Sequence, residues 1–349
     1  MKRVLKVFIG LIIFLLIFAV AFVAYLSITE FKPEPTESLE IKSPSSARVQ
    51  NGQELNVLIW NIGYGGLGKG SDFFMDGGEN VKSADRITVE MNLDAMASSI
   101  NDLQPDILML QEVDMDSSRT YGIDERPGFD IGSSSYALNY SCDFVPFPMP
   151  PIGKVNSGIM SSSRFETASA ERHSLPCPFS WPVSTANLKR CLLVSYLPIE
   201  GSDKQLVLVN LHLEAYDDGE GKIAQTNQLR ELIISEYEKG NYVIAGGDFN
   251  QSFPGGLEAY PNTHPELWEP GILDDSLLPE DWSYAFDLSV PSCRLLNQPY
   301  DPKDAENTQH YVIDGFILSP NVELQSIETL DMGFEFSDHN PINLKAVLK

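Results

Sequence analysis

The segment YVIAGGDFNQS, residues 242–252, sets the pattern of this chain: a short apolar run dense in β-formers, then polar residues at its downstream end. The same grammar recurs in NVLIW (56–60), DILML (106–110), LVLVNL (206–211) and YVIDGFIL (311–318). These runs are too short for free-standing helices and nearly continuous in apolar residues, so they read as strands of sheets covered on both faces. Leu93, Met96, Ala97, Ile100 and Leu103 keep a helical stripe that stops at Pro105, and residues 222–239, before Gly240, form a second helix. Strands of this kind with helices between them predict an α/β sandwich.

Polar residues collect where the runs end. Asn61, Glu112, His212, Asp248 and Asn250 all stand at downstream strand ends, where a side chain leaves the core yet stays rigidly placed. Asp248 and Asn250 are two apart, so an extended backbone would point both the same way, with Phe249 turned inward, to grip one water or one phosphate. Any one of these residues is ordinary as a turn former or cap; the set is not. Asp314 interrupts the apolar run 311–318, and a buried carboxylate costs several kcal/mol unless paired. Either an arginine pairs with it or it orients a histidine, for which His339 in FEFSDHNPI (334–342) is the candidate. Neighbours on a regular strand diverge, so Asp338 and His339 can share a site only from a bend before the last strand.

The chain has 349 residues, 43% of them apolar, enough for one large core or two modest ones. Lys2, Arg3 and Lys6 precede an uncharged run over residues 7–29, which matches the roughly 20 residues of a bilayer helix. We read residues 1–29 as an uncleaved membrane anchor, the alternative being a signal peptide cleaved near Ala19–Ala21. The basic flank should stay in the cytoplasm, placing the remainder outside the cell membrane as a single-pass protein. Residues 30–54 mix Pro, Ser and charge and read as a tether, with residues 55–349 as one domain. After residue 29 lie 21 of the 24 basic and all 49 acidic residues, a formal −28. That charge disfavours nucleic acid as a partner. The sequence implies no protein partner. Cys142, Cys177, Cys191 and Cys293 have no metal-type spacing; Cys177 with Cys191 is the first disulfide to consider, and free buried thiols are the alternative.

In order along the chain, WNIGYGG (60–66), LQEVD (110–114), NLHLEAYDDG (210–219), GGDFNQS (246–252), VIDGFIL (312–318) and FSDHNPI (336–342) resemble the endonuclease/exonuclease/phosphatase superfamily. This group includes deoxyribonucleases, sphingomyelinases and inositol phosphatases. The resemblance covers residues 55–349. It implies a four-layer sandwich of two mixed β-sheets flanked by helices, here behind one N-terminal transmembrane helix, and metal-dependent hydrolysis of a phosphoester. By the same resemblance Glu112 is the principal metal ligand with Asn61 near it, and Asp338 is a further metal-side carboxylate. Asp248 orients or deprotonates water, Asn250 helps hold that water and the phosphate, and His212 and His339 contact the phosphate, Asp314 holding His339. An all-oxygen donor set suits Mg²⁺ or Mn²⁺.

Around these motifs, Arg119 and Lys154 are candidate phosphate grips or else solvated loop cations. GLGKGSDFFMDGGEN (66–80) reads as a flexible lid or a long surface loop. The Phe-, Pro- and Trp-rich stretches 142–153 and 176–183 read as rigid loop packing, the alternative being an apolar rim that touches lipid or stacks a base. The leading functional expectation is a Mg²⁺-dependent phosphoesterase acting outside the membrane on a small or lipid-linked phosphoester. Its alternatives are an extracellular nuclease and a non-catalytic binding module.

Overall fold

The computed structural model describes residues 2–82, 84–217 and 219–349. Two mixed sheets stack face to face. One has seven strands in the order Thr36–Ser38, Ser169–Ser174, Cys191–Pro198, Gln205–His212, Tyr242–Asp248, Asp314–Leu318, Ser283–Ala285. The other has six, in the order Val322–Thr329, Ile342–Leu348, Glu54–Asn61, Ile107–Asp114, Gly153–Ser163, Ser133–Val145. Between them lies a core that takes Val57, Ile59, Ile107, Met109 and Leu344 from one sheet and Leu206, Leu208, Ile244 and Phe316 from the other. The outer face of the seven-stranded sheet buries Val207, Val209, Val243 and Ala245 against Leu229 and Ile233 of the helix Glu220–Glu238. The outer face of the six-stranded sheet buries Leu58, Trp60, Leu108 and Leu110 against Met96 and Ile100 of the helix Arg86–Leu103. Strands apolar on both faces require this helix–sheet–sheet–helix order, so the expected four layers are present.

The registers bring the chemistry to one end. Glu54–Asn61 runs parallel to Ile107–Asp114 with Asn61 opposite Gln111. Gln205–His212 runs parallel to Tyr242–Asp248 with His212 opposite Asp248. Asp314, the first residue of its antiparallel strand, also pairs with Asp248.

Two expectations are corrected. Residues 30–54 are not a loose tether: Thr36–Ser38 pairs antiparallel with Ser169–Ser174 and closes that sheet edge, and Val49 bridges to Ile199 and is fully buried. The open edge and two apolar residues, Leu39 and Val49, outweigh a polar composition. The four cysteines are free. Cys191 is buried beside Ala137, Ile159 and Leu193, while the Cys177 thiol sits near the Phe179 and Leu188 carbonyls, so the two face different surroundings.

The helix Lys2–Ile28 is long and apolar enough to cross a membrane. Its last turns rest on the domain: Phe22 and Leu26 pack with Cys142, Val145 and Val155, and the Trp181 indole N–H donates to Ser27 Oγ at 3.0 Å.

Candidate active site

At the shared end of the sheets a cavity of about 660 Å³ is walled by Glu112, Asp338, Asp248, Asn250, His212 and His339 among others. Local backbone events aim these side chains. The ladder between Ile107–Asp114 and Gly153–Ser163 slips between Leu110 and Val113, and Glu112 takes φ +54°. This bulge lifts its carboxylate out of the alternation, a distortion held by the strands around it. Asn250 has φ +51°, so the expected extended geometry for Asp248 and Asn250 is corrected. The turn lets the Asn250 N–H donate to Asp248 Oδ1 (2.9 Å), while its amide Nδ2 donates to the Leu213 carbonyl (2.9 Å). Phe249 is buried in the core, as its position required.

Asp248 is the hub. Its Oδ2 accepts from Asn61 Nδ2 at 3.0 Å and lies 3.4 Å from His212 Nε2 and 3.8 Å from His339 Nε2. Asn61 Nδ2 also donates to Glu112 Oε1 (3.3 Å), and its Oδ1 accepts the Gly63 N–H (3.1 Å). Asn61 therefore stands as a donor that joins two carboxylates, with its oxygen engaged by the backbone. His339 Nδ1 is 2.8 Å from Asp314 Oδ2, which also accepts from Ser292 Oγ at 2.8 Å. Asp314 thus holds the imidazole from behind. Asp338 and His339 occupy the bend before Ile342–Leu348, as their divergence demanded.

Burial and charge set the protonation states. Burial, with Asp314 adding to it, pushes the Asp248 carboxyl up to about 7, against His339 and the Asn250 and Asn61 donors. Burial also raises Asp338 to about 6, with His339 opposing and Glu112 adding to the rise. Burial opposes charge on His339, but Asp314, Cys293 and Asp338 outweigh it and raise that imidazole well above its usual range. His212 moves the other way, lowered by burial and by Arg190, His339 and Arg119. The surroundings thus favour the charged form of His339 and the neutral form of His212, both facing one carboxylate oxygen.

The donor set fits a divalent cation. Among the described charges, Asp114 is matched by Arg119, Glu214 by Arg190 and Asp314 by His339. Glu112 and Asp338 both line the cavity and repel one another, and among the described residues Asp338 has only the His339 imidazole, 4.0 Å away and already paired with Asp314, as an ion-pair partner. Arg294, which also lines the cavity, gives its N–H groups to the Gly68, Ser71, Leu295 and Gln298 carbonyls. Carboxylate oxygens in excess of cations call for a hard ion.

The two candidate phosphate grips fare differently from expectation. Arg119 lines the cavity but makes a two-pronged pair with the fully buried Asp114, at 2.9 and 2.8 Å, and lies 3.6 Å over the Tyr64 ring. Lys154 lies on the exposed surface, paired with Asp116, and is not part of the cavity wall. The loop 66–80 packs inward, bringing Leu67, Phe73 and Asp76 to the wall, Asp76 accepting from the Tyr216 hydroxyl at 2.9 Å. The 142–153 and 176–183 stretches are not packed throughout: Phe147, Met149, Trp181 and Val183 are exposed. Proline-bounded loops hold these large side chains outward with no second layer to cover them.

Sequence reading missed Tyr64, Asp76, Ser292, Cys293 and the membrane helix itself as parts of the wall or its support. Tyr64 was within reach, since it lies inside WNIGYGG. Ser292 and Cys293 follow no apolar run and gave no signal.

A profile described as the Endonuclease/Exonuclease/phosphatase family matches residues 58–339. No curated protein matches the sequence. Among solved structures, an endonuclease/exonuclease/phosphatase from Beutenbergia cavernae is 15% identical with TM-score 0.53, covering 85% of this chain and 72% of its own. One from Bacteroides vulgatus is 16% identical with TM-score 0.50, covering 85% and 100%. ANGEL2, a 2',3'-cyclic phosphatase in complex with adenosine-2',3'-vanadate, is 13% identical with TM-score 0.53, covering 89% and 99%. At these identities the likeness is one of fold.

Proposed function

The chain belongs to the Endonuclease/Exonuclease/phosphatase family of metal-dependent phosphoester hydrolases, and on that premise we propose a Mg²⁺- or Mn²⁺-dependent enzyme that hydrolyses a small or lipid-linked phosphoester outside the cytoplasmic membrane. One observation carries the reading: a single oxygen of Asp248 faces both His212 Nε2 and His339 Nε2 beside the Asn61–Glu112 contact. Glu112 and Asp338 would hold the cation. When bound, it supplies Lewis-acid polarisation of the phosphoryl group and offsets charge on the leaving oxygen.

The remaining work falls to the chain. Asp248, fixed by Asn61 and by the Asn250 N–H, takes the proton of the attacking water. His339, aligned by Asp314, points Nε2 into the cavity and donates to a phosphate oxygen as a cation. His212 donates as a neutral imidazole, its ring held at the end of a fully paired strand. The basic start of the chain, Lys2, Arg3 and Lys6, supports a cytoplasmic N-terminus and hence an outward domain.

A nuclease is the weaker reading. Cations near the cavity are already engaged: Arg119 with Asp114, Arg190 with Glu214, Lys189 with Glu30. A polyanion meets a formal −28 with those charges neutralised. A non-catalytic module is disfavoured because each expected carboxylate is present and faces or supports the cavity.

Asp248→Ala and Glu112→Gln in the full chain should lower hydrolysis of bis(p-nitrophenyl) phosphate with Mg²⁺ by about 10²–10⁴-fold or more. Unchanged turnover by a folded variant refutes the reading.

A further inference from the structure

We infer that the substrate is a lipid of the bilayer that holds the chain, its phosphoester headgroup entering the site through an apolar mouth at the foot of the N-terminal helix. This rests on the phosphoesterase reading above and names its substrate class.

The cavity is one space with two kinds of wall. Asp248, His212 and His339 line it, and so do Phe22, Val23 and Leu26 of the helix Lys2–Ile28. Counting about 20 residues for a hydrocarbon core from Val7, the first residue after Lys6, ends at Leu26. Phe22 to Leu26 therefore stand where acyl chains give way to headgroups. At that level the cavity opens beside the membrane rather than into bulk water.

The surroundings of the mouth agree. Phe147 and Val183 line it and are 69% and 58% exposed; Met149 and Trp181, beyond its edge, are 83% and 65% exposed. They come from two loops that meet at the helix foot, where Trp181 bonds to Ser27 and Phe144 lies edge-on to Phe22 at 6.0 Å. Exposed apolar side chains of this size, brought by two loops to one helix end, mark a surface that is covered in use. The helix fixes what covers it, because an anchor packed on the same loops keeps that patch in the plane of the bilayer. An indole at this level matches the aromatic belt of membrane proteins. The contact is apolar rather than basic, which suits a domain of formal −28 and a zwitterionic leaflet. Within the cavity, Phe22, Phe147 and Val183 give the first methylenes of an acyl chain an apolar path while the phosphate reaches the histidines.

The test uses the full chain in phosphatidylcholine nanodiscs with Mg²⁺. The lipid probes are labelled phosphatidic acid and labelled phosphatidylcholine, and each is matched by its deacylated counterpart, glycerol phosphate or glycerophosphocholine. At least one lipid should be hydrolysed with kcat/KM at least about 100-fold above its counterpart, the worth of a few buried methylenes. Met149→Asp and Trp181→Asp should lower lipid turnover by about tenfold. They should change bis(p-nitrophenyl) phosphate turnover by less than about twofold, as should Ile272→Asp, an exposed apolar control, on every probe. Equal turnover of lipid and deacylated probe, or equal loss on lipid and soluble probes in the rim variants, overturns the inference and leaves the phosphoesterase reading standing. Failure to hydrolyse bis(p-nitrophenyl) phosphate as well removes that reading, and this inference with it.

Discussion

Arg119 separates a phosphate grip from a structural cation, and its removal has a calculable consequence. Its guanidinium makes two hydrogen bonds to Asp114, which is 0% exposed, and Asp114 in turn gives its N–H to the buried Glu125 at 2.8 Å. Burial already raises Glu125 well above the usual carboxylate range, and the Asp114 charge adds to that. Arg119→Ala therefore leaves two neighbouring buried acids without their cation. Breaking such a pair from one side costs about 3–5 kcal/mol. At roughly 2–4 °C per kcal/mol for a domain of this size, the melting temperature should fall by about 6–20 °C. The assay is thermal unfolding of the full chain in detergent, read by tryptophan fluorescence, alongside kcat and KM on bis(p-nitrophenyl) phosphate. Adding Asp114→Asn to Arg119→Ala should return part of the loss, by about 0.5–3 kcal/mol of coupling. A variant that melts like the wild type but needs at least about tenfold more substrate refutes the structural assignment and restores Arg119 as a phosphate contact.

Three further outcomes follow from the cavity wall. Asp76 is raised by burial from 3.8 to about 6, so the folded state binds its proton more tightly than the unfolded chain. Stability should fall as pH rises from about 4 through 6, by up to about 3 kcal/mol. In chelator, Asp76→Asn should melt above the wild type at pH 8 and match it near pH 4; a gap that does not change with pH refutes this. Chelation should abolish turnover, and Mg²⁺ should raise the melting temperature of the wild type, continuing logarithmically with concentration above Kd, but not that of Glu112→Gln. Asp314→Asn keeps an acceptor for His339 Nδ1 but removes the charge that raises its pKa. Its activity should therefore fall at a lower pH on the alkaline side than that of the wild type, and superimposable pH–rate profiles refute the orienting role.

The strands, both long helices and the chemistry at strand ends were legible because each is local. A run such as YVIAGGD carries its own burial pattern, and its end is where the chain leaves the core. The failures are non-local. The polar segment 30–54 joins a sheet because a partner edge elsewhere lacks a neighbour. Glu112 reaches the cavity through a register slip against Gly153–Ser163, which no property of LQEVD announces. Arg119 looked free in sequence because Asp114, five residues away, gives no sign of being fully buried. The exposed Phe147 and Trp181 read as packing in sequence because apolar residues in proline-rich loops are ambiguous until the membrane helix is seen beside them.

The site is divided between the sheets, and this bears on how it can fail. Asn61 and Glu112 belong to the six-stranded sheet, and Asp338 and His339 precede one of its strands; His212, Asp248 and Asp314 belong to the other. The Asn61–Asp248 and His339–Asp314 bonds therefore both cross the interface. Beneath them the fully buried Asn210 accepts from Gln111 at 2.7 Å and donates to the Leu110 and Met160 carbonyls at 3.1 and 2.9 Å, a polar staple between the sheets. Apolar packing alone lets two sheets slide by small amounts at little cost, whereas directed hydrogen bonds fix one alignment. Asn210→Leu should thus lower kcat on bis(p-nitrophenyl) phosphate by about tenfold or more in protein that remains folded, with a smaller change in KM, since a small misplacement of reacting groups is expensive in rate. A folded Asn210→Leu protein with wild-type kcat shows instead that the apolar core by itself aligns the two halves.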